Sequence, residues 1–345
     1  MIKEALAKVV EGNHLSAEEA ETVMNEIMSG LCTPAQIAAY MTALRMKGET
    51  AEEITGSARA MRAKATKVPT RHTLLVDTAG TGGDGSHTFN VSTTAALVAA
   101  GAGVPMAKHG GRAVSSHCGS ADLLAALGVH IELPPERVGA CLDEVGFAFL
   151  FAPALHASMK YAVGPRRETG LRSIFNVMGP LTNPAGAQAQ VIGVYDGALT
   201  AVLAGVLKNL GAYRALVVHG SDGLDEITLA GPTQVSEVRD GKVRTYKLRP
   251  EDLGLATHPI DACRVSSLED NVQMTRMVLN GRTGPARDIV LLNAAAAIYV
   301  AGRTDSLKEA VPLAADSIDS GKALAKLEAV REFTHRPHPS PEKNA

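Results

Sequence analysis

Asp77-Thr78-Ala79-Gly80-Thr81-Gly82-Gly83-Asp84-Gly85 follows the apolar run Leu74-Leu75-Val76, and Asn90-Val91-Ser92-Thr93-Thr94 then opens an Ala-rich segment. A strand, a glycine loop and a helix start in that order make an anion cradle. Glycines let backbone N–H groups approach a ligand unobstructed, and the helix start adds unpaired N–H groups and a positive dipole end that favour phosphate. The glycine spacing fits neither G-x-x-x-x-G-K-[ST] nor G-x-G-x-x-G, so this is a phosphate loop of a third kind.

Working outward, short apolar runs at 104–107, 129–133, 190–195 and 214–219 alternate with helical stretches at 92–101, 119–127, 135–145 and 198–210. Such alternation predicts βαβ units, hence an α/β fold whose central, mostly parallel sheet is flanked by helices. Segment 233–248, with Asp240-Gly241 between two alternating runs, reads as a β-hairpin, a peripheral ornament. Helices resume at 268–281, 286–301 and 306–329. Upstream, apolar residues recur three and four apart from residue 1 to about 66. Ser16 stands three before Glu19 as a capping box, and Thr33-Pro34 opens a further helix. The expected division is a small all-helical domain over 1–70, joined by part of 165–185, a larger α/β domain over 71–330 and a polar tail over 331–345.

Composition narrows the classes. A chain of 345 residues, 46% hydrophobic and 20% charged with a net charge of -2, is long enough for two domains and is neither disordered nor a polycationic nucleic-acid binder. Aromatic residues, at 3% with no Trp, are too few for base-stacking platforms. Cys32, Cys118, Cys141 and Cys263 form no C-x-x-C pair, which argues against zinc, iron–sulfur and disulfide frameworks and for a reducing cytoplasm. The N-terminus lacks the unbroken apolar stretch of a signal peptide, and the most apolar run, 289–301, is shorter than the roughly 20 residues that cross a bilayer. No membrane association is expected.

Three further segments carry chemistry. Lys108-His109-Gly110-Gly111-Arg112-Ala113-Val114-Ser115-Ser116, followed by Gly119-Ser120, offers two cations and several hydroxyls to phosphate oxygens. Asp222-Gly223-Leu224-Asp225-Glu226 follows the run 214–219, and adjacent hard oxygen ligands beyond a strand end suit magnesium that also takes diphosphate oxygens. His156 to Lys160, Arg166, Arg167 and Arg172, and the run to Gly179-Pro180-Leu181-Thr182-Asn183-Pro184 concentrate cations, of which one Arg reads as a carboxylate or phosphate grip.

In this order, GTGGD at 80–84, NVST at 90–93, KHG-x-R-x-x-SS at 108–116, GSAD at 119–122, the 166–184 run ending GPLTNP and DGLDE at 222–226 resemble the anthranilate phosphoribosyltransferases of tryptophan biosynthesis, over roughly residues 1 to 330. The resemblance implies a nucleoside-phosphorylase-like architecture, a homodimer through the helical domain, and transfer of the phosphoribosyl group of 5-phosphoribosyl 1-diphosphate to anthranilate, the second step of the tryptophan branch. It implies that Gly80, Gly83, Asp84 and Thr88 contact the sugar diphosphate. Asn90, Val91, Ser92 and Thr93 close on its phosphates, and Lys108, Gly110, Arg112, Ser115, Ser116 and Ser120 complete the grip. Two magnesium ions per active site follow by the same route, one on Ser92 and Glu226, the other on Asp225 and Glu226. Arg166 would face the anthranilate carboxylate, with Gly80, Gly111, His109 and His156 along the acceptor's path. Two departures stand out: the family reads Asn where this chain has Gly111, one acceptor contact fewer, and His-Pro-Ala where this chain has His156-Ala157-Ser158.

The implied chemistry needs no indispensable acid or base, because a neutral aromatic amine attacks while the charge on the leaving diphosphate is neutralised, with Lys108 as an electrostatic contributor. A nucleoside phosphorylase of the same architecture would not need the paired carboxylates of DGLDE. A nucleic-acid-binding relative would need a broad basic surface.

Overall fold

The computed structural model describes residues 1–112 and 118–337. Four helices come first: α1 (Ile2–Val10), α2 (Ala17–Met28), α3 (Pro34–Lys47) and α4 (Ala51–Lys64). Then follow β1 (Val76–Gly80), α5 (Val91–Gly101), β2 (Met106–Gly110), α6 (Ser120–Ala126), α7 (Pro135–Val145), β3 (Phe147–Phe151), α8 (Ala152–Leu155), α9 (Lys160–Thr169) and α10 (Ile174–Met178). The remainder is β4 (Ala189–Gly193), α11 (Leu199–Asn209), β5 (Arg214–Gly220), β6 (Thr233–Arg239), β7 (Lys242–Leu248), α12 (Leu268–Leu279), α13 (Pro285–Val300), α14 (Leu307–Asp319) and α15 (Lys322–His335).

Each of α2, α3 and α4 starts at a hydroxyl residue whose side chain accepts the N3 amide, while the N3 side chain returns to the cap: Ser16 with Glu19, Thr33 with Gln36, Thr50 with Glu53. These boxes satisfy N–H groups that the first turn leaves unpaired. Glu53 is buried and also accepts from Leu15 N–H at 2.9 Å and Lys47 Nζ at 2.9 Å, so one carboxylate ties three segments of the bundle.

The strands form one seven-stranded sheet in the order β3-β2-β1-β4-β5-β6-β7, parallel from β3 to β5 and antiparallel beyond. Alternation along the central strands divides the core. Ala189, Val191, Leu216 and Val218 pack with α5 and α13 on one face, while Ile192, Val194, Ala215 and Val217 pack with α11 and the helical bundle on the other. The bundle's apolar core is therefore continuous with one face of the sheet.

The α/β class with a mostly parallel sheet is as expected, but several elements differ. The first strand begins at Val76 rather than Leu74 and extends into the motif to Gly80. The run 129–133 is irregular, and the edge position belongs to β3, whose Phe-Ala-Phe-Leu-Phe is buried throughout and starts where Gly146, at φ 78°, stops α7. The hairpin is no peripheral ornament, because β6 pairs with β5 along seven residues and carries the sheet outward. The helix expected over 306–329 is two, broken at Ser320-Gly321 with Gly321 at φ 76°, and the second runs to His335 with Phe333 and Thr334 buried, past the start of the expected tail.

Gly56 lets α4 lie on α2: a Cβ there would stand 1.9 Å from the Ala17 carbonyl oxygen. Gly56→Ala is expected to destabilise the fold by about 1–3 kcal/mol through overpacking, read as a lower denaturant midpoint with an unchanged slope. An unchanged midpoint would contradict the close approach.

Candidate active site

The strand order reverses direction between β1 and β4, and in open α/β sheets the crevice beyond the carboxyl ends at such a switch receives the ligand. Gly80 and Gly193 are register partners at those ends. Both glycines are required by what lies above them. A Cβ at Gly80 would meet Asp225 Oδ2 at 2.5 Å, and one at Gly193 would meet the Asp225 carbonyl oxygen at 1.5 Å. The 222–226 loop, leaving β5, thus lies across the crevice. Asn293 of α13 pins it, accepting from Ile227 N–H at 3.0 Å and donating to the Ile227 carbonyl at 3.0 Å.

The phosphate loop closes onto the acids. Gly82 N–H donates to Asp225 Oδ2 at 2.9 Å, Ser92 N–H in the first turn of α5 donates to Glu226 Oε1 at 3.0 Å, and Asp225 N–H approaches Asp84 Oδ2 at 3.4 Å. Burial, then repulsion from Asp84, pushes the Asp225 carboxyl up to about 7; burial, then Asp225, pushes Glu226 up to about 8, with Lys108 and the Ser92 amide opposing. Thr93 is fully buried beside them, and its hydroxyl has no partner among the described residues.

Lys108 lies deeper than a phosphate-gripping side chain would. Only 3% exposed, it donates to the Thr78 carbonyl, and burial lowers its pKa against the support of Asp77, Glu226 and Asp225. Its charge acts from beneath the cradle. Arg112 is exposed and spends one N–H on Asp122 Oδ1 at 3.0 Å. Asn90 is tied into the scaffold: its N–H donates to Asn271 Oδ1 at 3.1 Å, and Asn271 Nδ2 returns to Asn90 Oδ1 at 2.8 Å. Val91 is buried at the start of α5, and Thr88 bridges to Arg264. Gly110 makes room for Ser120, whose Oγ lies 2.1 Å from where a Cβ would stand, and the Ser120 hydroxyl donates to the Gly111 carbonyl at 3.4 Å. Gly83 is held by Arg172, which caps its carbonyl and stacks 4.1 Å over the Tyr195 ring. Ser115 and Ser116 lie outside the described residues.

On the other side of β2, His109 and His156 are buried with Nε2 atoms 3.2 Å apart, so one ring donates to the other. Burial lowers His109 to about 3, helped by His156 and Lys108, and His156 to about 4, helped by Lys67; both rings are neutral near pH 7. Arg166, near the end of α9, lies over the Phe175 ring at 5.5 Å, and no carboxylate pairs with it among the described residues.

The structure brings Gly82, Asp84 and Ser92 onto Asp225 and Glu226 and, separately, His109 onto His156, while Arg112, Thr88 and Arg166 meet Asp122, Arg264 and Phe175. Asn271 and Asn293 carry no local signal of a role, and Asp77, although it heads the glycine motif, has no role that the motif itself reveals. The signal for Asn293 is a single amide side chain inside the otherwise apolar run 289–301.

A twin-domain glycosyltransferase is the class that this fold and crevice define. The model of the glycosyl transferase family, a/b domain, matches residues 72–324, and that of the same family's helical bundle domain matches residues 3–65. The chain is 59% identical to an anthranilate phosphoribosyltransferase of Symbiobacterium thermophilum, covering 97% of this chain and 98% of the relative, and 57% identical to that of Moorella thermoacetica, covering 96% and 97%. Among solved structures, the anthranilate phosphoribosyltransferase of Thermus thermophilus superposes with a TM-score of 0.92 at 46% identity, covering 96% of this chain and 99% of that one. That of Saccharomyces cerevisiae, in complex with PRPP and Mg, does so at 0.88 and 30%, covering 96% and 97%. The chain belongs to the anthranilate phosphoribosyltransferase family. It is a pentosyltransferase that moves the phosphoribosyl group of 5-phosphoribosyl 1-diphosphate to anthranilate in tryptophan biosynthesis.

Because Asp225 and Glu226 hold protons more tightly folded than unfolded, the stability linked to them is present at low pH and is lost as pH rises through 7 and 8. Metal-free protein should lose melting temperature between about pH 5 and 9, and Glu226→Gln should flatten that loss. Equal slopes for the two proteins would show that Glu226 is not so enclosed.

Proposed function

We propose that the crevice works as two halves, a sugar-diphosphate half around β1 and α5 and an acceptor half around β2, α8 and α9. The observation that carries this reading is the mutual capping of anion-seeking amides, Gly82 and Ser92, by cation-seeking carboxylates, Asp225 and Glu226. In the donor half, Gly80, Gly83, Asp84 and Thr88 border the sugar diphosphate, Asn90 and Val91 set the first turn of α5, and the Ser92 and Ser120 hydroxyls with the Thr93 backbone N–H bind phosphate oxygens, since the Thr93 hydroxyl is enclosed. Lys108 supplies positive potential from below. Gly110, Arg112, Ser115 and Ser116 complete the grip.

The donor set fits magnesium. Among the described residues no three His, Cys, Asp or Glu side chains converge to hold a metal by themselves, as expected for an ion that keeps water and takes substrate phosphate oxygens. Glu226 with Ser92 would hold one ion and Asp225 with Glu226 a second. Bound magnesium supplies neutralisation of the charge that grows on the leaving diphosphate.

In the acceptor half, Arg166 pairs with the anthranilate carboxylate, and Gly80, Gly111 and the two neutral histidines flank the ring. The amine nitrogen forms its bond to C1′ as the C1′–O bond to diphosphate breaks, and the nitrogen's proton leaves to water. Neither histidine is needed as a base. Seven of the exposed large apolar residues, Met1, Val10, Leu31, Met46, Tyr161, Val163 and Leu171, lie on the helical region or on α9 and the loop after it, which supports a helical domain over 1–70, joined by part of 165–185, that pairs two copies of the chain. A cytoplasmic location fits four cysteines that form no disulfide among the described residues.

Glu226→Ala should lose at least about a hundredfold in turnover, and His109→Ala or His156→Ala about tenfold or less, measured by loss of anthranilate fluorescence. A histidine variant as inactive as Glu226→Ala, yet folded and binding the sugar diphosphate, would overturn the assignment. Among the described residues no atom lies within 4 Å of a Cβ built on Gly111, so Gly111→Asn fits without strain. It is expected to lower the KM for anthranilate by about three- to tenfold through one added hydrogen bond. A raised KM would count against Gly111 beside the acceptor.

A further inference from the structure

The loop Gly179-Pro180-Leu181-Thr182-Asn183-Pro184 is buried from Pro180 onward, although loops ordinarily lie at the surface. Its polar groups are met by residues from three directions. Gln190 Nε2 donates to the Pro180 carbonyl at 2.7 Å, and Arg62 Nε of α4 donates to the Leu181 carbonyl at 2.6 Å. Asn183 Nδ2 donates to Asp77 Oδ2 at 2.9 Å and to the Ala107 carbonyl at 2.8 Å, and Asn183 Oδ1 accepts from Ala185 N–H at 2.9 Å.

Asp77 is fully buried on β1, and its second oxygen accepts the His109 N–H of β2 at 3.0 Å. Asp77 and Gln190 are register partners on β1 and β4, so their side chains rise from the same face of the sheet toward the loop. A buried carboxylate is a weak stabiliser beside an apolar side chain of equal size, yet removing one partner of such a set leaves a costly unpaired group. The arrangement therefore specifies position more than stability. The arrangement holds β2 at His109, whose ring meets His156 at 3.2 Å, and the backbone of the same loop reaches the two rings at Gly179 and Thr182.

We propose that Asp77 and Asn183 are positioning residues for the acceptor half of the site. They clamp β2 at His109 against the 179–184 loop and so hold the His109–His156 pair in the geometry against which the aromatic acceptor lies. The proposal rests on the reading of those histidines as acceptor-lining. Asp77 also adds its charge to the field at Lys108, so the two members of the clamp are separable by experiment: Asn183→Ala breaks the clamp and leaves that charge in place, whereas Asp77→Asn alters both.

Steady-state kinetics with each substrate varied in turn tests this on the full-length protein with magnesium. Asn183→Ala is expected to raise the KM for anthranilate about tenfold while the KM for the sugar diphosphate moves less than about threefold, the scale of one buried polar group left unpaired. Should Asn183→Ala not fold, isosteric Asp77→Asn must show the larger change on the anthranilate side. The exchange Asp77→Asn with Asn183→Asp, which restores a donor opposite an acceptor, should recover part of the loss relative to Asp77→Asn alone. A lowered melting temperature with both KM values unchanged, or equal rises in both, overturns the proposal. His109→Ala serves as control: an unchanged anthranilate KM there removes the reading beneath the proposal, and the proposal with it.

Discussion

Asp225 and Glu226 stand where three parallel strands end, each held by a backbone N–H that belongs to the phosphate loop or its helix. Much of the architecture follows from keeping two carboxylates there. Gly80 and Gly193 must lack side chains so that the acidic loop can lie across the strand ends, Asn293 must interrupt an apolar helix to pin that loop, and Lys108 must be buried as the nearest cation. The cost of enclosing like charges shows in both carboxyls being pushed upward. Such a site is set up to receive cations on its acids and anions on its amides.

The facing of the glycine loop and the acidic loop, on which the proposed donor half rests, was legible in the sequence because both are local motifs. A glycine loop before a helix start is a contiguous pattern, since consecutive amides and one helix start would do the binding that is proposed for it. DGLDE is equally contiguous. Lys108 shows the limit of that reading: a Lys after a strand reads as a phosphate grip, but its position on a central strand turns the ammonium inward to the Thr78 carbonyl. Asn271 and Asp77 act across separations of 181 and 32 residues, and no local pattern announces them.

The fold was legible where periodicity was clean and failed where it was not. Runs buried on both faces do not alternate, which is why Phe147–Phe151 carries no strand signal of its own, while 129–133 reads as a strand run yet is irregular ahead of Pro134 and Pro135. The break at Ser320-Gly321 is a left-handed glycine inside an otherwise continuous helical pattern. The proposed acceptor half draws on β2, α9 and the buried 179–184 loop, so its geometry depends on packing rather than on any single motif.

If amides and acids form one site, drawing the carboxylates onto a divalent ion frees Gly82 and Ser92 for phosphate, and the two ligands must favour one another. Calorimetric titration of 5-phosphoribosyl 1-diphosphate into the protein, with and without magnesium, measures that coupling directly. Magnesium should tighten binding by about tenfold or more. An affinity for the sugar diphosphate that is the same in magnesium and in chelator would contradict the shared site.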